Sequence, residues 1–164
     1  MDQKLKRNND LINIVKEKKE GIIDSSLISL CDAMNELGNI KDVSAIDPIF
    51  EVFAFGDRKN VEGHQKAHEY YIKDCALQSL LSMGADILFN SMIEKLDSSA
   101  TDKKTRSNAI KILGILGDKR AIDYIKRAEK EDPDQEVRNI AVQTLHGDFG
   151  ASLRKKKNEP IDKN

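Results

Sequence analysis

A chain of 164 residues fits one domain of ordinary size and can bury a continuous core, so neither disulfides nor metals are required for it to fold. Charged residues make up 34% and aromatics 5%, with no Trp and few Gly or Pro, which favours a helical protein with a well-solvated surface. The net charge of −1 conceals a basic start (six Lys/Arg against four Asp/Glu in residues 1–20) and a basic end (five against two in 151–164) around an acidic body of −6. Cys31 and Cys75 are too few and too far apart for a disulfide framework or a zinc knuckle, and they read as reduced thiols packed in a cytosolic core. No apolar run approaches the roughly 20 residues of a membrane span. The first residues lack the apolar stretch of a secretory signal, so a soluble cytoplasmic protein is expected.

Residues 3–19 set Leu5, Leu11, Ile12 and Val15 among Lys, Arg and Glu, the spacing of a one-sided amphipathic helix that would lie as a lid on the helices after it. Gly21 breaks it, Asp24-Ser25-Ser26 offers N-cap oxygens, and the next helix is expected to stop at Gly38 as a C′ residue. A second helix opens at Ser44-Ala45-Ile46-Asp47-Pro48-Ile49. Its Pro48 sits in the first turn, where the missing N–H has no intrahelical use. Residues 54–66, with two glycines and mixed charge, read as an exposed loop.

The next helix carries Tyr70, Tyr71, Cys75, Ala76 and Leu80, and after it Ala85, Leu88, Phe89, Met92, Ile93 and Leu96 form an unbroken helical stripe. From Thr105 the pattern recurs more openly. Arg106, Ala109 and Leu113 return 32 positions later as Arg138, Ala141 and Leu145, and 33 positions earlier as Lys73, Ala76 and Leu80. The string Ala45-Ile46-Asp47 reappears as Ala121-Ile122-Asp123. Such periods mark stacked units, each a helical hairpin of an A and a B helix. Arg106 and Arg138 are expected to reach carboxylates or carbonyls at turn residues such as Asp118 and Asp134. Asp132-Pro133-Asp134 should end one helix and cap the next.

In Leu116-Gly117-Asp118-Lys-Arg120-Ala121, and again in Asp134-Gln-Glu-Val137-Arg138-Asn-Ile-Ala141, the chain resembles the HEAT-repeat family, in particular its short-repeat subclass that includes the phycobilin lyases. The resemblance covers about residues 25–147. It implies an all-α fold, a right-handed α-solenoid of three to four hairpins with A helices convex and B helices concave, and the binding of other macromolecules as its usual business. It implies no reaction. The expected layout is then a capping helix or arm over 1–20, a repeat domain over 21–147, and a basic, disordered tail over 148–164.

Laying the B helices over one another at Ala45, Ala85 and Ala121 sorts their faces, with offsets +2, +5, +6 and +9 turned outward. The row reads Asp47, Phe50, Glu51; then Ile87, Asn90, Glu94; then Asp123, Lys126, Arg127, Lys130. Phe50 and Ile87 break an otherwise polar row as recognition surfaces do, so these residues are the candidate partner-binding site. The basic third segment would draw the acidic end of a bound segment, and Phe50 would anchor its apolar end. His64 and His68, four apart, lack a third ligand, and no cofactor or metal is expected. The sequence has no phosphate loop and no nucleophile signature. The expected function is thus a non-catalytic adaptor for a protein partner; the alternatives are a lyase-like or chaperone-type subunit acting on another protein and a nucleic-acid binder, against which the acidic body argues.

Overall fold

The structure, a computed structural model, describes residues 3–18, 24–55, 64–98 and 100–147. All regular structure among them is helical: α1 (Gln3–Lys18), α2 (Asp24–Asn39), a 3-10 turn (Val43–Ala45), α3 (Ile46–Phe55), α4 (His64–Ser82), α5 (Ala85–Asp97), α6 (Lys103–Leu116), α7 (Ala121–Glu131) and α8 (Gln135–His146). The expected all-α fold class is what is found. The chain divides into two compact units, one ending at Leu88 and the other beginning at Phe89, so the division falls inside α5. The loop expected over 54–66 lies largely outside the described residues, as do Gly21 and the tail from 148.

In the first unit α4 packs against both α2 and α3, and α1 packs on α2 and α3. The core is drawn from the expected apolar positions. Leu30, Met34 and Leu37 of α2, Ile49 of α3 and Leu80 of α4 are fully buried, each stabilising the fold by roughly 1.5–3 kcal/mol. In α1 only Ile12 and Val15 are buried while Leu5 is exposed, so the apolar stripe covers the helix's second half. Asp42 ties this unit together at the start of α3. Its carboxylate accepts from the Ser44 N–H (3.0 Å), the Ser44 hydroxyl (2.6 Å) and the Asn8 side-chain amide of α1 (2.7 Å). The Ser44 hydroxyl bond is the largest influence on this carboxyl and holds it below the usual aspartate range despite partial burial.

Two expectations for α2 are corrected. Gly38 does not end the helix, which runs on to Asn39; it is buried where α2 meets α4 closely, and a Cβ there would lie 2.5 Å from the Ser79 carbonyl oxygen. Glycine is needed for close approach rather than for a turn. Cys31 and Cys75 are not separate thiols but form a disulfide between α2 and α4, with Cα atoms 5.6 Å apart. The two helices run in register, offset by 44: Asn35 likewise meets Ser79, whose hydroxyl donates to the Asn35 Oδ1 (2.9 Å) and to the Cys75 carbonyl (2.7 Å). Linear spacing conveys nothing of that register, which tertiary packing sets.

The second unit repeats the same local scheme, with α8 packed on both α6 and α7 as α4 is on α2 and α3. Asp102 caps α6 by accepting from the Thr105 N–H at 2.8 Å, and Gly117 closes it in the left-handed conformation (φ 70°). Asp132 ends α7, and Asp134 caps α8 by accepting from the Glu136 N–H at 2.8 Å. The end of α7 and the cap of α8 are those expected at Asp132-Pro133-Asp134, whereas the Asp102 cap was not anticipated. Ala109 and Ala141, like Ala76 in the first unit, are completely buried, as small residues at helix contacts should be.

Candidate functional site

In the second unit the C-terminal parts of α5 and α7 leave a cleft of about 390 Å³. Leu96 and Asp97 of α5 form one side, Tyr124, Arg127, Ala128 and Glu131 of α7 the other, and Asp132 lies at the end. The helical period of α7 accounts for the division of labour. Ile125 and Ala128 point into the core, Tyr124 lies at the edge of that stripe and stays half-exposed, and Asp123, Lys126, Arg127 and Lys130 face solvent.

Along this face cations alternate with rings. The Arg120 guanidinium lies 4.4 Å from the Phe89 ring centre, Phe89 meets Tyr124 edge to face at 6.1 Å, and Arg127 lies 5.3 Å from the Tyr124 ring centre. Arg127 then donates to a carboxylate oxygen of Asp97 on α5. Arg120 also pairs with Asp118, so both arginines have a carboxylate partner as well as a ring.

Asp132 is held from three sides. Its carboxylate accepts two hydrogen bonds from Arg106, at 2.7 and 3.0 Å, and one from the Asp134 N–H at 2.9 Å, while Arg138 donates to its carbonyl oxygen. Burial works to raise this carboxyl, and the Arg106 hydrogen bonds, with the Asp134 N–H and the charges of Arg106 and Arg138, outweigh it and keep Asp132 below the usual range. Arg106 and Arg138 therefore reach a carboxylate and a carbonyl at a turn, as expected. Their common partner is Asp132, however, and not Asp118, which serves Arg120, or Asp134, which caps α8.

Of the ten residues of the expected row, Asn90, Glu94, Asp123, Lys126, Arg127 and Lys130 are exposed in the second unit, and Arg127 alone lines the cleft. Ile87 is half-buried, in the part of α5 belonging to the first unit, where Asp47 and Glu51 are exposed. Phe50 is a correction: it is only 4% exposed and belongs to the core, because α3 is packed by α1 and α4 and presents solvent only a narrow strip carrying Asp47 and Glu51. The apolar anchor expected there does not exist. Two residues of the cleft fall outside that row: Asp97 lies past its last offset, and Tyr124, three after Ala121, is not among the outward offsets. Among the described residues no three His, Cys, Asp or Glu side chains are grouped to hold a metal ion, and no helix is long and apolar enough to cross a membrane.

Comparison with curated proteins returned no match. Residues 66–146 do match the HEAT-repeat family, as HEAT repeats at large and without singling out the lyase subclass. That match runs from within α4 to the end of α8, and over this stretch the chain is similar to HEAT repeats.

Proposed function

We propose that the chain is a non-catalytic protein-interaction module whose partner docks on the B-helix face, at the cleft between α5 and α7. HEAT repeats commonly mediate contacts between proteins. The observation that carries the location is the meeting of an exposed charged row (Asp123, Lys126, Arg127, Lys130) with a concave site containing a half-exposed tyrosine and a stacked arginine, floored by the nearly buried Leu96 and Ala128. A tyrosine in a concavity is among the side chains that most often dominate binding energy. Tyr124→Ala should abolish partner capture by the purified chain, while Val142→Ala, an exposed apolar change on α8, should leave it intact. Capture that survives the first change and fails with the second would refute the location.

We also infer an oxidising setting in place of the expected cytoplasm, since a buried disulfide using both cysteines of the chain fits such a compartment better than a reducing one. Free thiols on the protein isolated under acid quench would overturn this.

A further inference from the structure

Among its described lining residues the cleft contains more negative charge than its own cations answer. Of its three carboxylates, Asp132 is bound by Arg106 and Asp97 by Arg127, whereas Glu131 has no ion-pair partner among the described residues. Arg127 is the single cation among the described lining residues. It is a surface side chain, about half exposed, lying on the Tyr124 ring with its guanidinium on Asp97, and an exposed ion pair of this kind holds only weakly against a competitor. An aromatic face beside carboxylates is a receptor for a guanidinium, and Arg127 occupies it in the absence of any other.

Resting on the protein-binding reading above, we propose that the cleft receives an arginine side chain of the partner protein, which displaces Arg127 from Tyr124 and Asp97 and is held additionally by Glu131. Arginine fits better than lysine. Its planar fork stacks on a ring and meets carboxylates with two hydrogen bonds at once, whereas an ammonium does neither. The volume of about 390 Å³ suits one long side chain and its neighbours. Lys126 and Lys130, exposed on α7 outside the lining, would meet acidic residues flanking that arginine.

The test is titration of the full-length, isotope-labelled chain with N-acetyl-arginine amide, followed by backbone amide NMR, with the citrulline and lysine analogues and N-acetyl-aspartate amide as comparators. The arginine probe should shift the resonances of Leu96, Asp97, Tyr124 and Ala128, and the uncharged citrulline probe should bind about tenfold more weakly or not at all. Asp97→Asn with Glu131→Gln should weaken the arginine probe by about tenfold. The sign of the effect of Arg127→Ala discriminates most: removal of an internal competitor should tighten the arginine probe by about threefold or more. Equal response to arginine and citrulline, or tightening absent in Arg127→Ala, overturns the proposal. Preferential binding of the aspartate probe, lost in Arg127→Ala, would overturn it in favour of an acidic segment while leaving the protein-binding reading standing. If Tyr124→Ala leaves partner capture unchanged although the arginine probe binds as described, the failure lies in that reading instead.

Discussion

Arg106, in the first half of α6, holds the carboxylate of Asp132, 26 residues further along, with two hydrogen bonds of 2.7 and 3.0 Å, and both side chains are largely withdrawn from solvent. The same arginine donates to the Thr101 carbonyl at 2.6 Å, so one side chain ties the entry to α6 to the exit from α7.

Arg106→Met should destabilise the protein by about 3 kcal/mol in denaturant unfolding, since it leaves a buried carboxylate without its partner. Arg120→Met, at a pair with an exposed arginine, should cost far less. The pH dependence carries its own sign. Native Asp132 is depressed below its unfolded value, so its contribution is complete above that value and disappears as the pH falls through the native one. The stability gap between wild type and Arg106→Met should therefore narrow below about pH 4. A gap that widens in acid would contradict the assignment.

The disulfide closes a separation of 44 residues, for which the chain-entropy argument gives about 4 kcal/mol. A dithiol reductant, or Cys31→Ser with Cys75→Ser, should lower unfolding stability on that scale. The intact mass under non-reducing conditions should be two hydrogens lighter than the reduced chain. Ready alkylation of the folded, unreduced protein would show that the bond is absent.

Close helix approach gives a third expectation. Gly38→Ala should destabilise by about 1–3 kcal/mol because the added methyl meets the Ser79 backbone, and Ala109→Leu should do so for the same reason at its own contact. Lys111→Leu, two positions along α6 and only half-buried, should change the melting temperature little. Equal effects at positions 109 and 111 would mean the packing register is wrong.

Thr144 is fully buried on α8, and its hydroxyl has no hydrogen-bond partner among the described residues. Thr144→Val retains the shape and removes the unsatisfied group, so stability should be unchanged or increase by about 1 kcal/mol. A clear loss in thermal unfolding would imply that the hydroxyl is bonded in solution.

What could be read from the sequence was whatever depends on neighbours along the chain. The Arg106/Arg138 and Ala109/Ala141 columns gave the period, and Gly117 and Asp134 gave turns, because these residues act within a few positions of themselves. What could not be read depends on which helix packs beside which. Cys31 meets Cys75, and Phe50 is buried, because α4 and α1 lie where no local pattern announces them. The cleft was half legible for the same reason: Arg127 followed from the period of α7, but its partner Asp97 lies 30 residues away on α5.

Whether the partner lies against the α5–α7 cleft is a question for site-specific photo-crosslinking. p-Benzoylphenylalanine would be placed by Tyr124→p-benzoylphenylalanine in the cleft and, in separate proteins, by Tyr71→p-benzoylphenylalanine on α4 and Val142→p-benzoylphenylalanine on α8, both exposed. Docking at the cleft requires a partner adduct from position 124 that free N-acetyl-arginine amide suppresses, and little from 71 or 142. Adducts from position 71 or 142 with none from 124 would place the partner elsewhere.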